Sequence, residues 1–111
     1  MFALRVKIDL DQIKDWEAFH EVFFEVMGFP GFYGRNMNAW IDCMSYIDDP
    51  EAKMSKVVVK PGDILELELE GAEKFCEQSS EILKELVLCS GFVNERFISA
   101  GSETRISLIP T

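Results

Sequence analysis

Short segments in which apolar and charged residues alternate strictly, separated by stretches with helical spacing, most constrain the fold of this chain. Apolar residues at every second position are typical of a β-strand with one buried face. Strands joined through helices pair in parallel by right-handed crossovers, so the sequence predicts an α/β sandwich. The predicted strands contain Leu4, Val6, Ile8 and Leu10; Leu65, Leu67 and Leu69; and residues 104–109.

Three helices are predicted between these strands. Their apolar residues recur at three- and four-residue spacing, and capping residues or Gly and Pro mark their ends. The expected spans are residues 16–28, after Asp15 as the cap and before Pro30; from Asn36 or Asn38 to about Asp49–Pro50; and from about Ala72 to Val87.

The alternation also predicts that one face of the sheet is partly open, because parallel sheets covered on both faces usually contain continuous apolar runs. On that face Glu66 and Glu68 are expected beside Arg5 and Lys7. Opposite charges on neighbouring strands stabilise a sheet by roughly 0.2–1 kcal/mol per pair. The expected fold is a small, mainly parallel three-stranded sheet, with the option of an extra strand, packed with three or four helices.

Two segments leave alternatives open. Residues 51–63 contain three consecutive valines, 57–59, before a Pro61-Gly62 turn, and could add a short strand antiparallel to the next one. The segment from Ser90 to Ser102 could form an extra strand or a packed loop.

Composition restricts the partners of the protein more than its fold. The 111 residues, 48% of them hydrophobic, fit one globular domain spanning residues 1–111. The net charge of −9 disfavours direct binding to nucleic acid and favours a basic partner, unless the acidity serves solubility alone. Three cysteines without C-x-x-C spacing predict reduced thiols and argue against a disulfide framework or a zinc site. No signal-peptide pattern or membrane span is apparent, so we expect a cytoplasmic protein.

The second predicted helix carries a narrow polar stripe on a mostly apolar surface. At 100° per residue, Asn38, Asp42, Ser45 and Asp49 fall on one line. Such a stripe is either the solvated edge of a core helix or a binding surface.

The third predicted helix carries acids at every fourth position. Like charges at this spacing destabilise a helix by roughly 0.2–0.5 kcal/mol per pair. A cation-binding face would have this pattern, and so would a plain solubilising face. The four acids are Glu73, Glu77, Glu81 and Glu85.

A turn rich in aromatic residues leads into the second helix, where residues 29–43 read FPGFYGRNMNAWIDC. This segment resembles the signature of the barstar family, small inhibitors of ribonucleases. The family pattern has Pro, one residue, two aromatics, Gly, one residue and Asn, then a helix that begins with Asp or Asn and Ala and later contains Asp-Cys. The matching positions are Pro30, Phe32, Tyr33, Gly34, Asn36, Asn38, Ala39, Asp42 and Cys43.

The resemblance implies an intracellular bacterial inhibitor that forms a 1:1 complex with a basic ribonuclease, as an immunity protein in a toxin–antitoxin pair. In this family, acids on the second helix and on the helix before the last strand fill the nuclease active site, where carboxylates replace RNA phosphates. Asp42 aligns with the central Asp, and Glu81 and Glu85 align with two late Glu positions. No cofactor or metal is implied. The implied partner-binding residues are the acids Asp42, Glu81 and Glu85, the rim donors and acceptors Asn36, Asn38 and Ser45, and the apolar edge Phe32 and Tyr33.

Several positions depart from the family pattern. Asn38 stands where the ribonuclease-binding relative has an acid, Phe32 replaces a tyrosine, and Ile47 replaces a tryptophan. Arg35 places a cation beside Asn36. These differences imply a cognate nuclease other than barnase, or none. The alternative function is a barstar-fold interaction module for a non-ribonuclease toxin or a regulatory partner.

An enzymatic function has little support in the sequence. Phosphate-binding loops, dinucleotide fingerprints, zinc-protease motifs and nucleophile elbows are all missing. His20 is the only histidine, and the cysteines lie in or beside apolar runs, which disfavours a catalytic Cys–His pair. We therefore expect that the protein is not an enzyme.

Overall fold

Within residues 2–111, three parallel strands that pair in their order along the chain and four α-helices make up the fold. The computed structural model describes residues 2–111, and within these residues no helix is long and apolar enough to cross a membrane. The elements are β1 (Ala3–Asp9), a 3-10 turn (Leu10–Gln12), α1 (Trp16–Met27), α2 (Met37–Met44), a second 3-10 turn (Pro50–Ala52), β2 (Ile64–Glu70), α3 (Ala72–Gln78), α4 (Ser80–Ser99) and β3 (Arg105–Pro110). The predicted α/β class and the three predicted strands are confirmed, except that Leu10, expected at the end of the first strand, lies in the 3-10 turn.

The charged face of the sheet has the predicted register. Arg5 pairs with Glu66 and Lys7 with Glu68 across β1 and β2. The Arg5 guanidinium lies 3.2 Å from the Glu66 carboxylate and 3.5 Å from that of Glu68. Lys7 Nζ lies 3.2 Å from a Glu70 oxygen, and this hydrogen bond raises the Lys7 pKa. These charges line the open face that the alternating pattern predicts.

The opposite face of the sheet forms the hydrophobic core with the helices. The leucines of β2 are at most 2% exposed, because β2 is the central strand and its apolar side chains all point toward the helices. Helix α1 begins where Asp15 accepts a hydrogen bond from the Ala18 N–H at 2.8 Å. It ends at Gly28, whose φ of +68° is a left-handed conformation that glycine adopts without strain. Both ends agree with the sequence prediction.

The prediction for residues 72–102 was wrong in two respects. The single helix expected to end at Val87 is two helices, which meet at Ser79 in a non-helical conformation (φ −143°, ψ 48°). The segment from Ser90 to Ser102 is neither a strand nor a loop over most of its length, because α4 continues to Ser99. The buried residues of α4 keep helical spacing across Gly91, so the burial of this apolar stripe outweighs the weak helix propensity of Ser and Gly. They are Ile82, Leu86, Cys89, Ser90, Val93 and Phe97.

Two shorter predictions also need correction. The valine run at 57–59 forms no strand; instead the Val57 N–H bonds the Met27 carbonyl and the Val59 N–H bonds the Ile47 carbonyl. These bonds fix the run as an irregular link against the ends of α1 and α2. Helix α2 ends at Met44 rather than near Asp49. The chain then continues in tight turns, which are closed by backbone hydrogen bonds between residues three positions apart.

Candidate protein-binding site

Helix α2 presents two polar side chains from an otherwise buried segment. Asn36 caps its N-terminus by accepting a hydrogen bond from the Ala39 N–H at 2.8 Å. Trp40 is completely buried, and its ring packs edge-on against Phe23 with the centroids 5.6 Å apart. Asn38 and Asp42 are exposed on the other side. The buried face fixes the helix, so both polar groups are held in defined positions.

The polar stripe predicted on this helix is present only in part. Ser45 lies at the C-terminal cap, where its half-buried hydroxyl donates to the Ile41 carbonyl at 2.6 Å. Asp49 is exposed but lies beyond the helix. Burial raises the pKa of the Cys43 thiol to about 11, with a smaller contribution from the Asp42 charge, so Cys43 is a packing residue. The stripe that faces solvent from α2 itself consists of Asn38 and Asp42.

Asp42 forms an ion pair with a residue that the sequence analysis did not identify. Its Oδ1 lies 2.7 Å from Nη1 of Arg96 on α4, and more than half of each side chain remains exposed. The pair stands beside an open groove of about 690 Å³ between α2 and α4. The groove is lined by Asn38, Ile41, Phe92, Glu95, Arg96, Ser99 and Ala100.

The ends of α2 and α4 are also joined through the start of β3. Asp48 accepts a hydrogen bond from the Thr104 hydroxyl at 2.8 Å, and the Ser102 hydroxyl lies 3.2 Å from the same carboxylate oxygen. On α4 the Asn94 amide exchanges two hydrogen bonds with the backbone of Ile106, at 2.8 and 3.0 Å. These bonds tie α4 to β3, and they tie the segment that follows α2 to the residues just before β3.

The aromatic turn before α2 has one exposed and one buried aromatic residue. Phe32 is 74% exposed, whereas Tyr33 is buried and shares a 2.6 Å hydrogen bond with His20. Burial raises the Tyr33 pKa and lowers the His20 pKa, and the nearby Arg35 charge lowers the latter further. Arg35 itself pairs with Glu21 at 2.7 Å. Tyr33 therefore supports the turn from inside, and Phe32 is the aromatic side chain that the turn exposes to solvent.

Glu81 and Glu85 are not brought together with Asp42. Arg96, which contacts Asp42, lies eleven residues after Glu85 and fifteen after Glu81 on α4, or about 16 and 22 Å along the helix axis. Glu85 is half-buried, with its carboxylate 4.0 Å from the Cys89 sulfur. Glu81 lies near the start of α1, in a cavity shared with Asp15. The four-residue row of acids is also divided, because Glu73 and Glu77 belong to α3.

The polar residues of α4 that line the groove beside α2 are Glu95, Arg96 and Ser99. The sequence carried a signal for them, since the buried stripe of α4 continues with helical spacing to Phe97. Among residues 2–111 no group of three or more His, Cys, Asp or Glu side chains is arranged to hold a metal ion.

These features define a small α/β protein with a fixed, helix-borne polar surface suited to contact another protein. The family model described as Barstar (barnase inhibitor) matches residues 3–108, and the chain belongs to the barstar family. A search of curated proteins finds no significant match. The family match confirms the resemblance carried by residues 29–43 and agrees with the three-stranded parallel sheet and its four helices.

Proposed function

We propose that this protein inhibits a ribonuclease by placing the Asp42 carboxylate where an RNA phosphate would bind in the active site. The family is one of barnase inhibitors, which supports a nuclease as the partner. The observation that carries the proposal is the exposed Asp42 carboxylate on the solvent side of a buried, capped helix.

A carboxylate in this position has the properties of a phosphate mimic. It accepts charge-assisted hydrogen bonds from Arg, Lys and His side chains, which are stronger than hydrogen bonds between neutral groups. Because the opposite face of α2 is buried, little conformational freedom is lost when the group enters a partner's site. The net charge of −9 would also raise the rate of encounter with a basic nuclease.

The other predicted contact residues take different roles around Asp42. Asn38 and the exposed ring of Phe32 would contact the partner directly, and Asn36 and Ser45 would contribute at the rim. Tyr33 would support the turn from inside. An interface of standard size covers about 800 Å² on each partner, which corresponds to a diameter of roughly 30 Å. In an interface of this size centred near Asp42 and Arg96, Glu85 would lie at the edge as an outer partner for cations of the nuclease. Glu81 would take that role only in an interface that extends further along α4.

The biological role follows from this chemistry. We propose a cytoplasmic immunity protein that acts as one domain, forms a 1:1 complex and protects a bacterial cell from a ribonuclease toxin. Enzymatic activity and a cofactor are not part of the proposal.

A second function remains open because of the Asp42–Arg96 ion pair. Arg96 partly neutralises the acid that would enter a cationic active site. This observation favours, as the alternative, a barstar-fold module that binds a non-ribonuclease toxin or a regulatory protein.

A titration against bacterial ribonucleases separates the two functions. RNA cleavage is followed as the protein is added to a barnase-type enzyme and to other small basic ribonucleases. Inhibition that is complete at one equivalent, and that is relieved by Asp42→Ala, would support the inhibitor. Uninhibited cleavage across the panel would refute it for these enzymes and favour the interaction module.

A further inference from the structure

We propose that Arg96 sets the partner specificity of the surface around Asp42, by favouring a ribonuclease that presents a carboxylate beside the cation it presents to Asp42. The inference rests on the proposed function and adds the charge pattern of the partner's contact surface.

The ion pair places a cation where a partner's cation would otherwise bind. Arg96 Nη1 donates a hydrogen bond to Asp42 Oδ1 at 2.7 Å, and both side chains reach solvent. An arginine or lysine that approaches Asp42 therefore meets a partly neutralised acid with a like charge beside it. Like charges brought together across an interface suppress binding of the wrong partner.

A partner carboxylate next to Arg96 reverses this effect. The four charges would then alternate in sign across the interface, with Arg96 shared between Asp42 and the incoming acid. A guanidinium has five N–H donors in a planar fork, so it can serve two carboxylates at once. A partner site made only of cations offers no acceptor for the N–H groups of Arg96 that do not bond Asp42.

The adjoining groove has the same mixed character. Glu95 and Arg96 contribute one charge of each sign, and Ile41 and Phe92 contribute apolar surface. A partner segment that carries both signs around an apolar side chain fits this lining better than a uniformly basic one. The groove thus differs from the molecule as a whole, which has 20 acidic side chains and 11 basic ones.

The fold does not depend on Arg96 to hold α2 against α4. Ile41 of α2 is 8% exposed within the core, and Asp48 is tied to Thr104 at the start of β3. The Arg96 side chain is itself 53% exposed. Its charge can therefore be removed while the groove and the position of Asp42 are kept.

The test measures binding to a barnase-type ribonuclease, a probe whose active site is expected to be cationic. The variants are Arg96→Gln, Asp42→Asn, the double variant, and Lys74→Gln as the charge-matched control. Lys74 is exposed on α3, which follows the C-terminal end of β2, whereas Arg96 lies at the end of α4 that leads into the N-terminal end of β3. The two positions are therefore near opposite ends of the parallel strands.

We expect Arg96→Gln to tighten binding about tenfold, and Lys74→Gln to change it by less than about twofold because the site is distant and screened by salt. In the Asp42→Asn background the gain from Arg96→Gln should fall below about threefold, since there is no carboxylate left to release. Thermal unfolding of each variant should remain close to that of the unmodified protein.

Three results would overturn the inference. Binding by Arg96→Gln that is no tighter than binding by Lys74→Gln would do so, while the proposed function would stand if Asp42→Asn still weakened binding. An equal gain in both backgrounds would show that Arg96 acts by general repulsion and not through Asp42. Failure of the unmodified protein and of all variants to bind this ribonuclease would also overturn the inference, and the titration against the panel of ribonucleases would then decide the proposed function separately.

Discussion

Replacing Asp42 with alanine should separate binding from folding, because the structure gives the carboxylate little part in stability. Its ion pair with Arg96 is exposed, and exposed pairs contribute about 0–1 kcal/mol. The residue lies in the last turn of α2, where a negative charge is unfavourable to the helix dipole by about 0.3–1 kcal/mol. Alanine also has a higher helix propensity than aspartate, by up to roughly 0.7 kcal/mol.

These contributions nearly cancel. The free energy of unfolding should change by less than about 1 kcal/mol, which corresponds to a shift in Tm of at most about 5 °C for a domain of this size. The helix would gain slightly from the substitution, so local stability gives no reason for an acid at this position. A role in binding a partner would give a reason for the acid.

The effect on binding should be much larger. Truncating one member of a desolvated charge pair at an interface costs about 2–5 kcal/mol, a range that itself draws on measurements of barnase–barstar complexes. This corresponds to a roughly 30-fold to several thousand-fold increase in Kd. The assay is inhibition of RNA cleavage titrated with Asp42→Ala, with urea unfolding of the same sample measured in parallel.

The matched control is Glu25→Ala, which removes the same charge from an exposed position on α1 that makes no ion pair among residues 2–111. It should bind within about twofold of the unmodified protein. An Asp42→Ala protein that is unfolded, or one that inhibits as well as Glu25→Ala does, would refute the reasoning.

Three further predictions concern the framework of the site. Asn36→Ala should lower the free energy of unfolding by about 1 kcal/mol in urea titrations because α2 loses its cap, and Asn36→Ser should recover most of it. Gly28→Ala should destabilise by more than about 1 kcal/mol, since φ is +68° and a Cβ would lie 2.6 Å from that of Lys56; Gly31→Ala, with open space around it, is the control and should differ by less than about 0.5 kcal/mol. Burial lowers the pKa of His20, so the unfolded chain binds this proton more readily and stability should fall as the pH drops from about 7.5 to about 5.5. His20→Gln should reduce this dependence of stability on pH. An unchanged slope of unfolding free energy against pH would show that His20 is not its cause.

The strands and their register could be predicted from the sequence because alternation fixes which side of the sheet each residue faces. A shift by one residue would bury Glu66 and Glu68 and expose the leucines between them, so only one register is compatible with the pattern. The start of α1 and its end at Gly28 were equally accessible, since each has a local cap with a known geometry.

The length of α4 could not be read from local signals. Ser90 and Gly91 are weak helix formers, yet the apolar stripe of α4 passes through them and the helix continues to Ser99. This error changed the candidate site because it left Arg96 outside any helix, whereas Glu81 and Glu85 entered the site through the family resemblance alone. The start of α2 depends on a local turn and cap, and of the two caps that the sequence allowed, Asn36 and Asn38, the structure has Asn36. Which charged side chain faces Asp42, in contrast, depends on how far α4 extends, and no local signal fixes that.

The hydrogen bonds between Asp48 and the start of β3 bear on how fast this protein can capture a partner. The Asp48–Thr104 bond joins residues 56 positions apart and ties the segment that follows α2 to the residue before β3. Each side chain that must be ordered during association costs about 0.5–1.5 kcal/mol, and the side chains of Asp48, Thr104 and Asn94 are already ordered in the folded protein. A framework that is fixed before the partner arrives favours fast association. If the partner is a ribonuclease, as proposed, fast association would limit how much RNA is cut before the enzyme is captured.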